Sequence, residues 1–487
     1  MYNSLAYLAL FGWIPVTLVL FARLRPPVAV TLAFLGPFLL LPASLEVDYP
    51  LIPPIDRHVV GGVGALLGYL LFVRNRDKAP LTASWPLLLI AAQVLTSFLT
   101  VIGNGDPMYF GPFVLPGLSL HDSLGVAFLR LVTLGLPFYL GMRLIRSPAD
   151  LATVLRLVVA FGLFCVPIIV WENRMSPELH AKLYGVFPHN FLQHMRAGGW
   201  RPVGFTVHGL ELALFMSTAV VAAAGLARAR LRFFGYRTLG IFVLLLLALV
   251  FCRSLGALLF GLVFPLLLFT TGAVTQQRVI AALASIVLLY PLARSRDLFP
   301  TDTLVEVAMS LSEERGQSIE FRFDNEDLLL ARADERPLLG WGVWGRNRVY
   351  DPISGRDAAV TDGYWILELG MFGLVGFASF FALLTLPAYL AARNWRRIPR
   401  GPARTVTMTV ALIVVLRAVD FLPNAFPAPF TMFLPGALMH TLSLRAPRKR
   451  HSSAAAARAE SSPRMHAAGA TSPEVGGAIH GARTSQT

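Results

Sequence analysis

Apolar and polar positions alternate along this chain in long blocks and not at helical or strand period. Thirteen predominantly apolar runs stand between polar connections: Ser4 to Ala22, Pro27 to Ser44, Val59 to Val73, Ser84 to Ile102, Ser123 to Met142, Leu151 to Trp171, His208 to Ala227, Thr238 to Cys252, Leu255 to Gly272, Val279 to Ala293, Gly363 to Leu390, Thr405 to Phe421 and Phe430 to Leu444. An apolar run of about 17 to 25 residues crosses a bilayer as a helix, because helix satisfies the backbone internally where no water can. The pattern predicts an all-α fold, a polytopic transmembrane helical bundle of about 12–13 spans. The short third run and the weak division at Arg253 set that range.

One connection is longer than the rest and predicts a large extracytoplasmic loop containing short helices. Within it Leu304 to Ala333 mixes apolar and charged residues as surface helices do, with Leu328, Leu329 and Leu330 turned inward and Glu326, Arg332 and Asp334 in water. Gly340, Gly342, Gly345 and Gly355 mark turns that follow. Four regions result: 1–293, transmembrane helices; 294–362, the large periplasmic loop; 363–445, C-terminal transmembrane helices; and 446–487, a disordered cytoplasmic tail too poor in large apolar residues to bury a core.

Composition agrees with a membrane protein. At 55% hydrophobic and 14% charged residues the chain lacks the charged surface of a soluble domain. A net charge of +14 would suit nucleic acid if it formed one patch, but the basic residues recur in small clusters. Arg23 and Arg25, then Arg74, Arg76 and Lys78, Arg143 and Arg146, Arg228 to Arg237, Arg393 to Arg400, and Arg445 to Arg450 occupy alternate connections. Positive charge stays inside, so these face the cytoplasm, the C-terminus with them, and the N-terminus lies outside. The first run, without a basic flank or cleavage site, reads as a retained span. Cys165 and Cys252 sit in apolar runs and read as small buried hydrophobes.

Chemistry then concentrates in the outer connections. Arg174, Arg196, Arg201, Arg253, Arg322, Arg346 and Arg348 stand at or beside outer boundaries, and a guanidinium fork suits phosphate or carboxylate oxygens. Arg253 reads equally well as an arginine snorkelling at a hairpin. His208 and Glu211, three apart at a helix start, would share a face and could form an oriented base, or His208 is an interfacial polar residue. Asp362 is a candidate base or a plain N-cap, and Glu368 is a carboxylate inside a span. Asp324, Glu326 and Asp327 read as a wet helix face before a metal cluster, and no Walker loop, zinc spacing or nucleophile elbow is present. No metal or other cofactor is expected.

Several of these stretches resemble one family. Arg201-Pro202-Val203-Gly204-Phe205, Cys252-Arg253-Ser254, Arg322 followed by Pro337-Leu338-Leu339-Gly340-Trp341-Gly342, and Glu368-Leu369-Gly370-Met371-Phe372-Gly373 are similar to motifs of the bacterial O-antigen ligase and O-antigen polymerase superfamily. Glu172-Asn173-Arg174-Met175-Ser176-Pro177, Tyr184-Gly185-Val186-Phe187 and His208-Gly209-Leu210-Glu211 further resemble exopolysaccharide polymerisation proteins of that group.

The resemblance implies a metal-independent glycosyltransferase of the bacterial inner membrane, acting at its outer face on undecaprenyl-diphosphate-linked oligosaccharide, among membrane lipid and beside a chain-length regulator, without nucleic acid. It implies catalytic roles for Asp362, His208 and Glu211 and diphosphate binding by Arg201, Arg253, Arg322, Arg346 and Arg348. Thr361-Asp362-Gly363 stands where many ligases carry His-Asn, which favours a polymerase over a lipid A ligase. A transporter or flippase of the same lipid-linked glycans is the rival reading. It needs charges deep within spans, whereas the sequence places polar residues at their outer ends. A non-catalytic assembly partner is the third.

Overall fold

Helix formation follows the apolar runs closely. In the computed structural model, which describes residues 1–443 except 50, 51, 78–80, 82 and 197, every one of the thirteen runs contains a helix. Among the described residues eight helices are long and apolar enough to cross a membrane: Ser4–Arg23, Trp85–Ile102, Leu120–Leu144, Pro148–Met175, Gly209–Arg228, Ala273–Ser295, Tyr364–Arg393 and Pro402–Asp420. Pro26–Leu40, Arg57–Val73, Thr238–Phe251 and Leu255–Thr270 are shorter apolar helices, and Pro429–Leu438 is shorter still. The fold is all-α, and among the described residues strands are confined to three two-stranded hairpins in the connections. The sequence pattern did not predict these.

At the centre runs Gly209–Arg228, buried along nearly its whole length. Its small residues let neighbours approach closely: a methyl at Gly162 would meet Ala219, and one at Gly225 would meet Thr409 of Pro402–Asp420. Loop and helices belong to one unit, Met1–Arg445. The tail expected over 446–487 lies outside the described residues, as do Lys78 and Arg445 to Arg450.

Contacts between connections sort them into two sets. Asn3 donates its amide to the Tyr184 carbonyl at 3.1 Å, Ser44 donates to the Pro188 carbonyl at 3.0 Å, and Asn104 donates to the Gly340 carbonyl at 3.1 Å. Asp56 and Trp344 line one cavity, so the N-terminus and all the expected outer loops gather at one end. At the other end Arg25 pairs with Asp150 at 3.7 Å, Arg143 with Asp77 at 2.9 Å, and Arg228 donates to the Thr271 carbonyl at 2.8 Å. The first three arginine-bearing connections therefore share one end.

The large loop holds two helices, Thr301–Leu311 and Glu313–Asp334. Its inward face differs from the expected one. Leu329, Leu330 and Ala333 are buried while Leu328 is 47% exposed, and Glu326 turns inward to accept from the Tyr290 hydroxyl at 3.0 Å and the Trp365 indole at 3.3 Å. Residues 326, 329, 330 and 333 share one face at helical period, and three consecutive leucines cannot.

After these helices the chain locks into a break in Tyr364–Arg393. Gly373 there has φ 63° and ψ −166°, which interrupts the helix. The freed amides of Leu374 and Val375 donate to the carbonyls of Pro337 and Leu338 at 2.7 and 3.3 Å, while the amides of Trp341 and Gly342 donate to those of Gly370 and Met371, both at 2.8 Å. A Cβ at Gly373 would lie 2.3 Å from the Leu338 carbonyl carbon, and one at Gly340 2.5 Å from that of Met371. The two glycine-rich stretches that the sequence sets about thirty residues apart are halves of one joint, and only glycine permits the approach.

Candidate functional site

Arg201 and Arg253 meet at the loop-rich end. Glu172, at the end of Pro148–Met175, accepts the Val203 and Gly204 amides at 2.7 and 2.8 Å and so fixes the 201–208 segment. Arg201, 8% exposed, donates from Nη2 to the Arg253 carbonyl at 3.0 Å. Arg253, with φ 49°, donates from Nη1 to the Arg196 carbonyl at 2.9 Å and lies against Gly199, where a Cβ would come within 2.3 Å of it.

Among the described residues Arg201 has no ion-pair partner, and its buried Nε has no hydrogen-bond acceptor. Burial and the neighbouring Arg196 push its pKa down to about 10. A guanidinium held out of water without a carboxylate is costly unless an anion completes it.

Beside it lies a histidine cluster that sequence spacing did not bring together. The rings of His194 and His208 are 4.7 Å apart and His189 is 5.0 Å from His208, while Phe426 stacks on His208 at 5.9 Å. His208 is the N-cap of Gly209–Arg228, its Nδ1 accepting the Leu210 amide at 3.1 Å. Burial, then His194 and His189, hold its pKa down to about 3. The Nδ1 lone pair is engaged by the Leu210 amide.

Glu211 does not orient His208, contrary to the expected pairing. It faces Arg57, with both carboxylate oxygens 3.3 Å from Nη2, in a pair whose side chains are 1% and 5% exposed. Arg57 also donates to the Phe38 and Phe205 carbonyls at 3.0 Å. This is the fastening that holds the start of the central helix.

Arg322, expected to bind diphosphate, and Asp362, the candidate base, are neighbours 3.4 Å apart and both about two-fifths exposed. They line a cavity of about 510 Å³ whose walls are otherwise mostly apolar: Tyr290, Phe299, Leu304, Val307, Ile319 and Ile366 among them. Asp362 is not an N-cap, since Gly363 holds that position without a side-chain cap.

Arg346 and Arg348 have other tasks. Arg346, 1% exposed, donates to the Pro116 and Asp106 carbonyls at 2.8 and 2.9 Å and ties the 103–119 connection to the large loop. Arg348 closes a loop turn with Asp357 at 2.5 Å. Nor do Glu326 and Asp327 gather a metal: both pair with Arg294, at 3.4 and 2.5 Å. No cluster of three His, Cys, Asp or Glu suited to a metal ion occurs among the described residues.

What sequence reading missed lies inside the bundle. Arg130, midway along Leu120–Leu144, pairs with Glu368, hydrogen-bonds Gln93 and sits 3.5 Å over the Phe372 ring. Glu368, fully buried, also accepts from the Tyr364 hydroxyl at 3.3 Å. The expectation that charge stays at the outer ends is corrected here. A single arginine or glutamine in an apolar run is the signal that could have found this network. The 421–428 connection was missed too, yet Phe426 stacks on His208, Leu422 and Pro423 line the Arg322 cavity, and Pro427 lines the Asp56 and Trp344 cavity with Arg130. Neither protein-family models nor curated proteins match this chain.

Proposed function

We propose that this chain is a metal-independent membrane glycosyltransferase, which polymerises or transfers oligosaccharide from an undecaprenyl diphosphate carrier at the outer face of a bacterial inner membrane. The observation that carries the reading is Arg201: a buried guanidinium without a carboxylate, joined to Arg253 at the loop-rich end. A diphosphate supplies the missing charge. The mostly apolar cavity at Arg322 and Asp362 suits a polyprenyl chain, and Asp362 is the carboxylate exposed enough to take a proton.

In the step proposed, an acceptor hydroxyl oxygen attacks the anomeric carbon of the donor sugar. Its proton passes to Asp362 as the new glycosidic bond forms. The bond to the diphosphate oxygen breaks, and the departing anion is stabilised by Arg201 and Arg253, which is electrostatic catalysis at the leaving group. Arg322 lies 3.4 Å from the same carboxylate and fixes its position.

The test gives purified protein a lipid-linked oligosaccharide and no nucleotide. Wild type lengthens or transfers the glycan, while Arg201→Ala and Arg253→Ala reach wild-type protein levels without product. Normal product from Arg201→Ala would overturn the assignment. A flippase reading draws on the buried Arg130–Glu368 pair, which joins Leu120–Leu144 to the first turns of Tyr364–Arg393, and predicts in the same assay that lipid changes leaflet with no new covalent bond.

A further inference from the structure

We propose that the cavity beside Trp344 is a subsite for a neutral sugar ring, where the acceptor glycan rests; the acceptor role, though not the binding, depends on the function proposed above. The cavity is about 340 Å³, and Asp56, His58, Arg130, Trp344, Tyr364 and Phe372 line it. That volume lies at the small end of ligand clefts, which run to about 300–1,000 Å³.

Charge distinguishes it from the Arg201 corner. Arg130 is already answered by Glu368, by Gln93 and by the Phe372 ring, so no cation is left to call for an anion. The acceptors that remain are suited to hydroxyl groups. One oxygen of Asp56 takes the His58 and Val59 amides at 2.9 and 2.8 Å. Its other oxygen and the His58 ring have no hydrogen-bond partner among the described residues.

Trp344 supplies the flat apolar wall. It is 54% exposed, yet its indole is fixed by donating to Asp122 at 2.8 Å. Its backbone has φ 62°, between Gly342 and Gly345, a strained conformation for a bulky residue, kept where the surroundings enforce it. A pyranose presents apolar C–H faces and a hydroxyl rim, and this cavity offers an indole face with carboxylate and imidazole at its edge. Pro427 of the 421–428 connection completes the wall one residue from Phe426, which stacks on His208. Acceptor and diphosphate sites thus adjoin through one short segment.

The experiment is saturation-transfer NMR on the full-length protein in a sugar-free detergent, with methyl β-glucoside, methyl β-galactoside, N-acetylglucosamine and, as the anionic control, sodium diphosphate. At least one sugar should receive saturation, with its ring C–H protons strongest. Thr133 also lines the cavity, and the signal should fall at least fivefold in Trp344→Ala and in Thr133→Trp, which fills it, and return in Trp344→Phe. Variants are accepted only with wild-type melting, and Thr133→Trp alone decides if Trp344→Ala melts early. No saturation of any sugar, or undiminished signal in Thr133→Trp, overturns the proposal. So does diphosphate competing the sugar from this cavity in Arg201→Ala. Sugar binding without glycan transfer would sink the transferase reading and spare the subsite; transfer without binding would do the reverse.

Discussion

Glu211→Ala separates a fastening from a catalytic group. The Arg57–Glu211 pair is buried on both sides, with Nη2 3.3 Å from each oxygen, and deleting the acid leaves a guanidinium in the core. Removing one member of a buried pair costs about 3–5 kcal/mol. Arg57 keeps its two carbonyl acceptors, Phe38 and Phe205, so the lower end, about 3 kcal/mol or roughly a hundredfold in the folding equilibrium, is expected. Replacing both partners, Arg57→Met with Glu211→Leu, removes the stranded charge and should recover most of the loss. Thermal unfolding in detergent with a thiol-reactive dye suits this protein, since Cys165 and Cys252 are free and buried. Glu211→Ala should melt several degrees early and the double variant close to wild type. Wild-type melting of Glu211→Ala with lost activity, or a double variant that shows the sum of the single losses, would refute the reasoning.

Gly373→Ala should prevent the helix break from receiving the 337–342 segment, because its Cβ would fall 2.3 Å from the Leu338 carbonyl carbon at φ 63°; gel filtration and melting should show a poorly folded product, and a wild-type profile would discount the joint. His194 and His208, held down to about 4 and 3 by burial, are neutral when folded and protonate near pH 6.5 when unfolded, so stability is retained above pH 6.5 and lost as pH falls below it, by about 1.4 kcal/mol per pH unit for each. His194→Gln with His208→Asn should flatten melting between pH 7 and pH 5, and an unchanged slope would dismiss the cluster as its cause. Ser354→Cys, on the exposed surface of the large loop, should react with a membrane-impermeant maleimide in intact cells; labelling only after permeabilisation would invert the orientation.

The Arg201 corner was partly legible. Arg201 and Arg253 stood out as arginines at helix boundaries, and the structure joins them. Arg346 and Arg348 carried the same signal and are loop staples, because a boundary arginine looks alike whether its partner is a carbonyl, a carboxylate or a ligand. Arg130 and Gln93 went unnoticed within apolar runs, although a buried polar group there nearly always has a partner.

Where helices stand was largely determined by sequence alone, since in hydrocarbon a backbone must bond to itself. The alternation of arginine clusters likewise gave the two ends, as charge at a boundary is a local property. Tertiary structure decided which polar group answers which. Glu211 meets Arg57 across 154 residues, Glu368 meets Arg130 across 238, and the glycines of 337–342 meet the break at Gly373. Those partnerships depend on how helices rotate and cross, which small residues and packed side chains settle and no run of neighbours in the chain can encode.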